Sequence, residues 1–215
     1  MPLPVLVLIL LTAAVVLGLV AAEIGLPRLA ERRIAGRLTA SGGTAEVSVA
    51  ATPALRLLRN RGDRLAVRGS GLTIGLGDRG SGPGGVSALD GFAEVDVELV
   101  DLRAGPFDVA AFVLVRRAGG PYAMAAEGTV SGAGLAGFGA GWLRESVPGG
   151  ALLGAVAGTA PIGSRRIPVA IEVELHSEPG GMRVGSGGGR IAGYPAGPIA
   201  TTIAAAVARR LEIAP

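Results

Sequence analysis

The sequence predicts an α+β protein in which a curved antiparallel sheet packs against a long N-terminal helix and a C-terminal helix, behind an N-terminal transmembrane anchor. One observation behind this prediction is an uncharged apolar run at residues 3–22. A second is a set of strand-like segments, in the clearest of which apolar and polar residues alternate, as in strands with one face in water. These segments lie at 46–50, 65–74, 92–117, 122–130 and 165–177. A third is a pair of amphipathic helical patterns, at 23–38 and from Pro198 onwards.

The composition fits one folded domain, 23–215, that follows an anchor or signal segment, 1–22. The core must be built mainly from Ala, Val and Leu, because aromatic residues make up only 3% of the chain. All 20 basic residues are Arg, and they are scattered among 17 acidic residues without a basic run, which argues against nucleic-acid binding. The absence of Cys excludes disulfides and Cys-based metal sites.

The apolar run is long enough to cross a bilayer, because its twenty residues span about 30 Å as a helix. An uncleaved anchor is favoured over a signal peptide, whose apolar region is shorter, and over a buried soluble helix. The arginines that follow would keep the domain in the cytoplasm by the positive-inside rule, whereas a basic segment before Met1 would reverse that orientation. They are Arg28, Arg32, Arg33 and Arg37.

A second helical pattern continues directly from the apolar run. The apolar positions of residues 23–38 recur at helical spacing and predict one buried stripe. They are Leu26, Leu29, Ala30, Ile34 and Leu38. After the strand at 46–50, Thr52 is the predicted N-cap of a short helix and Pro53 its first residue.

A predicted hairpin at 92–117 is the centre of the sheet. In its first arm, three apolar residues alternate with three acidic ones, which gives one apolar and one acidic face. These are Val95, Val97 and Leu99 against Glu94, Asp96 and Glu98. The same alternation puts five residues of the second arm on one face, namely Phe107, Val109, Ala111, Val113 and Val115. Gly105 and Pro106 form the predicted turn.

Further strands follow the hairpin at 122–130 and 165–177. Residues 182–184 are predicted to pair back on the latter strand, and 185–193 are predicted to form a loop. Residues 131–146 predict a helix with Leu135, Phe138 and Trp142 on one side. Five glycines in this segment weaken the prediction, because glycine destabilises a helix interior.

Motifs for catalysis, cofactors and metals are weak in this sequence. Of two matches to Gly-x-Gly-x-x-Gly, the one at 75–80 is followed by more loop instead of a helix. The one at 132–137 follows a strand but lacks the later strand and acidic residue that a dinucleotide-binding fold requires. His176 and the acidic row at 94–98 are interpreted as water-facing residues rather than metal ligands. We therefore predict no enzymatic activity, no cofactor and no metal site.

An apolar groove between helix and sheet is the remaining candidate site. Small side chains leave room for an acyl chain, and Arg at the groove mouth would pair with a lipid phosphate. Candidate lining residues are Val95, Val97, Leu99, Val109, Val113, Ile171 and Val173, with Phe138 and Trp142 near a rim. Candidate head-group residues are Arg116, Arg165 and Arg166. The alternative is that the apolar faces simply pack on each other.

Three segments of the chain resemble the LmeA-like phospholipid-binding proteins of actinobacteria. They are LAERRIAGRL, VSVAATPALRLLRNRGDRLAVRG and RIAGYPAGPIATTIAAAVARRLEI, with the acidic strand at 94–100 between them. The likeness spans most of residues 28–213. It implies a tubular lipid-binding-like fold, in which a long helix lies against a curved antiparallel sheet. It also implies an extracytoplasmic, membrane-associated protein that binds phospholipid, with phosphoinositide as one candidate, and is linked to assembly of cell-envelope glycolipids.

We therefore predict a membrane-anchored, non-catalytic domain that binds a phospholipid at the cell envelope. Carriage of that lipid is a further part of the prediction. The extracytoplasmic side that the resemblance implies is opposite to the side that the arginines after the apolar run indicate. The alternative from another class is a structural or interaction module that presents its sheet to an envelope protein.

Overall fold

The computed structural model describes residues 3–74, 86–134, 166–178, 181–197 and 201. Within them the chain is α+β, as predicted, with helix α1 (Leu3–Leu38) and two short 3₁₀ helices, Ala54–Arg59 and Val86–Leu89. The strands are β1 (Thr44–Ala50), β2 (Gly62–Ser70), β3 (Thr73–Ile74), β4 (Phe92–Ala104), β5 (Phe107–Arg116), β6 (Tyr122–Ser131), β7 (Arg166–Glu178), β8 (Gly181–Ile191) and β9 (Tyr194–Pro195). The helix predicted at 131–146 is described only to Gly134, and the predicted C-terminal helix only at Thr201.

The described strands form one open sheet in the order β1-β2-β4-β5-β6-β7-β8-β9, and β3 pairs with β4 just beyond the end of β2. Neighbouring strands are antiparallel, except that β2 and β3 run parallel to β4. The parallel pairs depart from the purely antiparallel prediction. They arise because the chain leaves the sheet at Ile74 and returns to its other end at Phe92, instead of reversing in a tight hairpin.

The predicted hairpin is confirmed, since β4 and β5 pair antiparallel around Gly105 and Pro106. Gly105 has a φ of 54°, a left-handed conformation that glycine adopts without steric cost. The strands predicted at 122–130 and 165–177 are also present, as β6 and β7. β8 is longer than predicted, because its glycines, which favour a loop, are held by the backbone hydrogen bonds of β7 as far as Ile191.

The sheet is strongly curled. The 3₁₀ helix Val86–Leu89, which comes just before β4, contacts β8, four strands away in the sheet order. Asp90 also accepts a hydrogen bond from the Ser177 hydroxyl on β7, three strands from β4. Three strand spacings would measure about 14 Å in a flat sheet. The sheet therefore wraps around one of its faces, which we call the interior face; it carries Val97, Leu114, Met124 and Val173, and the opposite face is the outer face.

Among the described residues, the second half of α1 packs against the sheet. Ile34 and Leu38 are buried, Ala30 is partly buried against the same core, and the helix contacts β1 and the 3₁₀ helix Ala54–Arg59. Leu29, predicted on the buried stripe, is 62% exposed instead. The stripe advances by four residues at a time through Ala30, Ile34 and Leu38, and Leu29 is rotated by about 100° from Ala30.

Candidate functional site

Residues 10–21 of α1 form an exposed apolar segment of the helix. Every residue from 10 to 21 is exposed, and the large apolar side chains around its circumference are 48–73% exposed, with Leu17 the highest. Among the described residues, one helix, α1, is long and apolar enough to cross a membrane. A helix that is apolar on all sides needs an apolar surrounding, and the described part of the domain does not supply one for residues 10–21.

Packing of the domain on α1 begins where the apolar run ends. Glu23 is the first charged residue after the run, and both of its carboxylate oxygens accept the backbone N–H of Ala54 at 3.0 Å. Two turns later, Glu31 Oε1 accepts the backbone N–H of Val49 at 3.0 Å. Ala54 and Val49 are buried, so their amides need such partners. The carboxylates therefore fix the edge of the sheet to the helix directly beyond the apolar run.

The buried part of the interior face is apolar, apart from the hydroxyl of Tyr122 at one end. No charged side chain is buried among the described residues, and five of the candidate lining residues are buried. Val95, Val97, Leu99, Ile171 and Val173 are 0–8% exposed, and Val109 is partly buried against the same core. Sequence reasoning therefore identified much of this face. The rim candidates Phe138 and Trp142 lie outside the described residues.

The predicted lining is wrong at Val113. It is 37% exposed and lies opposite Glu98 on the outer face. The cause is a β-bulge at Ala110, where one extra residue in β5 shifts the pairing with β6. Beyond the bulge the interior positions are Phe112 and Leu114, which are 3% and 0% exposed. The regular alternation from Phe107 to Val115 is therefore wrong in its second half.

One end of the interior face is closed by a polar network around Asp90. Arg116 Nη1 donates to the Tyr122 hydroxyl at 3.1 Å and lies 3.4 Å from Asp90 Oδ1, and its guanidinium stacks 4.9 Å from the Tyr122 ring centroid. The Tyr122 hydroxyl in turn donates to Asp90 Oδ1 at 2.9 Å. Ser177 donates to the other Asp90 oxygen. The network joins β5, β6 and β7 to the segment that precedes β4.

Arg116, a candidate head-group residue, is committed to this network. Its Nε donates to the Gly120 carbonyl at 3.0 Å and its Nη2 to the Gly119 carbonyl at 3.2 Å, in addition to its contacts with Asp90 and Tyr122. Its side chain is only 13% exposed. The donors of Arg116 are therefore directed at protein acceptors, and they stabilise this end of the interior face.

Tyr122 is the buried member of the network, 1% exposed. Burial, reinforced by the nearby Asp90 carboxylate, raises the pKa of Tyr122 well above its ordinary value, against the opposing effect of Arg116. The phenol is therefore a stable neutral donor to Asp90. This arrangement suits a structural closure and does not supply an acid or base that exchanges protons near neutral pH.

The other described head-group candidate, Arg166, lies elsewhere. It is on the outer face at the opposite end of the sheet, where it pairs with Asp108 and lies 3.4 Å from the Thr129 hydroxyl. Arg103 pairs with the same carboxylate at 3.3 Å. The structure thus separates Arg116 and Arg166, and Arg165 lies outside the described residues. No common phosphate site is formed by the two arginines that are described.

The acidic row lies on the outer face, as interpreted from sequence. Arg64 pairs with Asp96 at 3.7 Å, and Arg68 pairs with Glu98 at 3.4 Å, across the parallel β2–β4 ladder. His176 is partly exposed in register with Arg183. In the part of the chain that the structure describes, no cluster of three or more metal-ligating side chains is found. The Gly-x-Gly-x-x-Gly match at 75–80 lies outside the described residues, and the second is described only from 132 to 134.

Sequence reasoning missed both polar attachments of the domain. Glu23 and Glu31 are eight residues apart, or about two helical turns, and that spacing was a usable signal for a shared helix face. Asp90 had no comparable signal, because its partners come from three different strands that only the curled sheet brings together.

A comparison of the chain with protein-family models, curated proteins and solved structures finds no match.

Proposed function

We propose that the chain is a membrane-anchored, non-catalytic phospholipid-binding protein of the cell envelope. Helix α1 is its anchor, and the interior face of the curled sheet holds an acyl chain. Phosphoinositide is one candidate ligand, and carriage of lipid for assembly of envelope glycolipids is the role that the resemblance implies. The domain is proposed to lie on the extracytoplasmic side.

One observation carries the anchor. The apolar run of α1, from Leu3 to the residue before Glu23, would be about 30 Å long, close to the thickness of the hydrocarbon core of a bilayer. The domain begins to pack at Glu23, so it would sit directly on the membrane surface. A core helix would bury its apolar side chains against the domain, whereas the described apolar side chains from Leu10 to Val20 are exposed.

The interior face supports lipid binding through its chemistry. It is a continuous apolar lining built mainly from Val and Leu, and each CH₂ group of an acyl chain moved from water into such a lining gains about 0.8 kcal/mol. Val97 and Val173 lie on the central strands of this lining. Their β-branched side chains are short, so a larger side chain at either position would take the space of an acyl chain.

The interaction module remains a second candidate because the same face is so well covered. Val97, Leu114 and Leu175 are 0% exposed, so the described lining is packed without a bound lipid. A lipid would have to displace protein atoms that cover these side chains. A domain whose interior is only its core would instead act through its outer surface.

Lipid bound by the purified full-length chain distinguishes the two candidates. We expect native mass spectrometry in a mild detergent to show one phospholipid that resists delipidation. Val97→Trp should remove it, whereas Val100→Trp should not, because Val100 is 48% exposed on the same strand. Circular dichroism and the unfolding midpoint establish that both variants are folded.

Retention of the lipid by a folded Val97→Trp variant would exclude the interior face as the site. A full-length chain that carries no tightly held lipid, and that also fails to take up phosphoinositide from vesicles, would favour the interaction module. The side of the membrane is tested separately with Val100→Cys, the only cysteine in that variant. We expect a membrane-impermeant maleimide to label it in intact cells.

A further inference from the structure

We infer that the 3₁₀ helix Ala54–Arg59 is a second membrane contact, which dips Leu55 and Leu58 into the head-group and acyl boundary of an anionic bilayer. This inference rests on the proposed anchor, because it places the contact on the same bilayer that α1 enters. It does not depend on lipid binding by the interior face.

The three-residue period of the 3₁₀ helix sorts its side chains into three stripes. Ala54 and Leu57 form the inner stripe, since Ala54 is 0% exposed and Leu57 packs against the core. Leu55 and Leu58 form an apolar stripe that is 42% and 69% exposed. The third stripe, Arg56 and Arg59, is basic and exposed. An exposed pair of leucines beside a pair of arginines has the chemistry of an interfacial segment.

The helix is held at the level where the apolar run of α1 ends. The backbone N–H of Ala54 lies 3.0 Å from both carboxylate oxygens of Glu23. Leu58 is four residues further on, which is about 8 Å along a 3₁₀ helix. An interfacial side chain reaches about 5–10 Å into the head-group and acyl boundary. Both leucines are therefore within reach of that layer if α1 crosses the bilayer up to Glu23.

The segment is held in a defined conformation rather than hanging as a loop. Asp63 accepts the backbone N–H of Thr52 at 2.7 Å and pairs with Arg56 at 2.7 Å, which braces the start of the helix. At the other end, Asn60 adopts a left-handed conformation, with φ of 53°, and donates its backbone N–H to Leu57. The exposed leucines therefore lie on a segment whose two ends are fixed by hydrogen bonds, and their exposure does not result from an unstructured loop.

The charges around this segment complement anionic lipid. Residues 23–33 and 52–63 contain six arginines and three carboxylates. The carboxylates are already used, since Glu23 and Glu31 accept backbone amides and Asp63 holds Arg56 and Thr52. The positive excess attracts the phosphates of the bilayer at short range. We therefore commit to an anionic bilayer surface as the occupant, rather than a protein.

The test uses single-cysteine variants of the full chain, which has no cysteine of its own. An environment-sensitive fluorophore is attached at Leu58→Cys, at Leu17→Cys in the apolar run, or at Val100→Cys as the exposed control. Val100 pairs with Ser70, eight residues along β2 from Gly62, so it lies about 26 Å of strand away from the 3₁₀ helix. The proteins are reconstituted in vesicles of equal parts phosphatidylcholine and phosphatidylglycerol that contain depth-dependent quenchers.

We expect deep quenching at Leu17, shallow quenching at Leu58 and none at Val100. Replacing phosphatidylglycerol with phosphatidylcholine should weaken the quenching at Leu58 by about twofold or more and leave that at Leu17 unchanged. If the probe at Leu17 is quenched while the probe at Leu58 fluoresces as it does in water, this inference is wrong and the anchor stands. A water-like probe at Leu17 would overturn the anchor itself.

A second variant keeps the inference testable if the fluorophore perturbs the segment. With Leu55→Ser and Leu58→Ser combined, we expect the backbone amides of residues 55–59 to lose their vesicle-dependent protection from hydrogen exchange, while the protection of β4 is unchanged. If the double variant is protected by vesicles as well as the natural sequence, the leucines do not contact the bilayer.

Discussion

Glu23 accepts the backbone N–H of Ala54 with both carboxylate oxygens, each at 3.0 Å, across 31 residues of the chain. Ala54 is fully buried, so without Glu23 its amide would lose a partner in a place that water does not reach. This one contact connects the end of the apolar run with the start of the 3₁₀ helix. It therefore links the proposed anchor to the position of the domain above it.

Removing the Glu23 carboxylate should destabilise this junction. We expect Glu23→Ala to lower the free energy of unfolding by about 1–3 kcal/mol, because a charged acceptor is lost and a buried N–H is left unpaired. Amide exchange should accelerate in residues 54–60 before it accelerates in the sheet. Glu46→Ala, at an exposed position on β1, is the matched control and should change neither quantity. Equal effects of the two substitutions would show that the junction does not depend on Glu23.

Tyr122 should remain protonated in alkaline solution. Burial and Asp90 raise its pKa, so in the Tyr194→Phe variant, where Tyr122 is the only tyrosine, the tyrosinate absorbance should develop well above pH 10. The unfolded chain releases the same proton near pH 10. The stabilisation is therefore complete below about pH 10 and is lost as the pH rises from there towards the pKa of the folded state. A titration midpoint at or below pH 10 in the folded protein would contradict the network around Asp90.

The sequence alone predicts those helices and strands whose residue pattern depends only on neighbouring residues in the chain. The alternation in residues 165–177 predicts β7, and Ile171 and Val173 are on the buried face as expected. The apolar run and the helix after it predict α1, which is one continuous helix. In these segments each residue's environment follows from its own spacing, without information about a distant partner.

Prediction failed where pairing with another strand sets the outcome. Val113 was assigned to the interior because a regular strand keeps its parity, and the bulge at Ala110 breaks that rule. Arg116 was predicted to bind a ligand because its own position does not reveal its acceptors, which come from the turn at Gly119 and Gly120 and from the distant segment at Asp90 and Phe92. The glycines of β8 predict a loop, and only the ladder with β7 makes them a strand.

The bulge at Ala110 makes Leu114 and Val113 a direct test of which face is buried. Leu114→Ala should lower the free energy of unfolding by about 2–5 kcal/mol, because Leu114 is 0% exposed in the core. Val113→Ala should cost about 1 kcal/mol or less, since Val113 is on the outer face and loses mainly strand propensity. Chemical unfolding in one detergent gives both values. The reverse order would restore the unbroken alternation that the sequence predicts.

The same bulge requires a glycine on the neighbouring strand. A Cβ atom at Gly128 would lie 2.3 Å from the Asp108 carbonyl oxygen and 2.7 Å from the Val109 Cα, and both are backbone atoms that cannot rotate away. We expect Gly128→Ala to cost about 1–3 kcal/mol, because β5 and β6 would have to separate at the bulge. Gly188→Ala on β8 is the matched control, with no atom within 4 Å of the new Cβ and no positive φ. It should be neutral or slightly stabilising, because alanine restricts the unfolded chain. If Gly128→Ala were equally harmless, β5 and β6 could not approach as closely as the bulge requires, and the inward turn of Phe112 and Leu114 would need another cause.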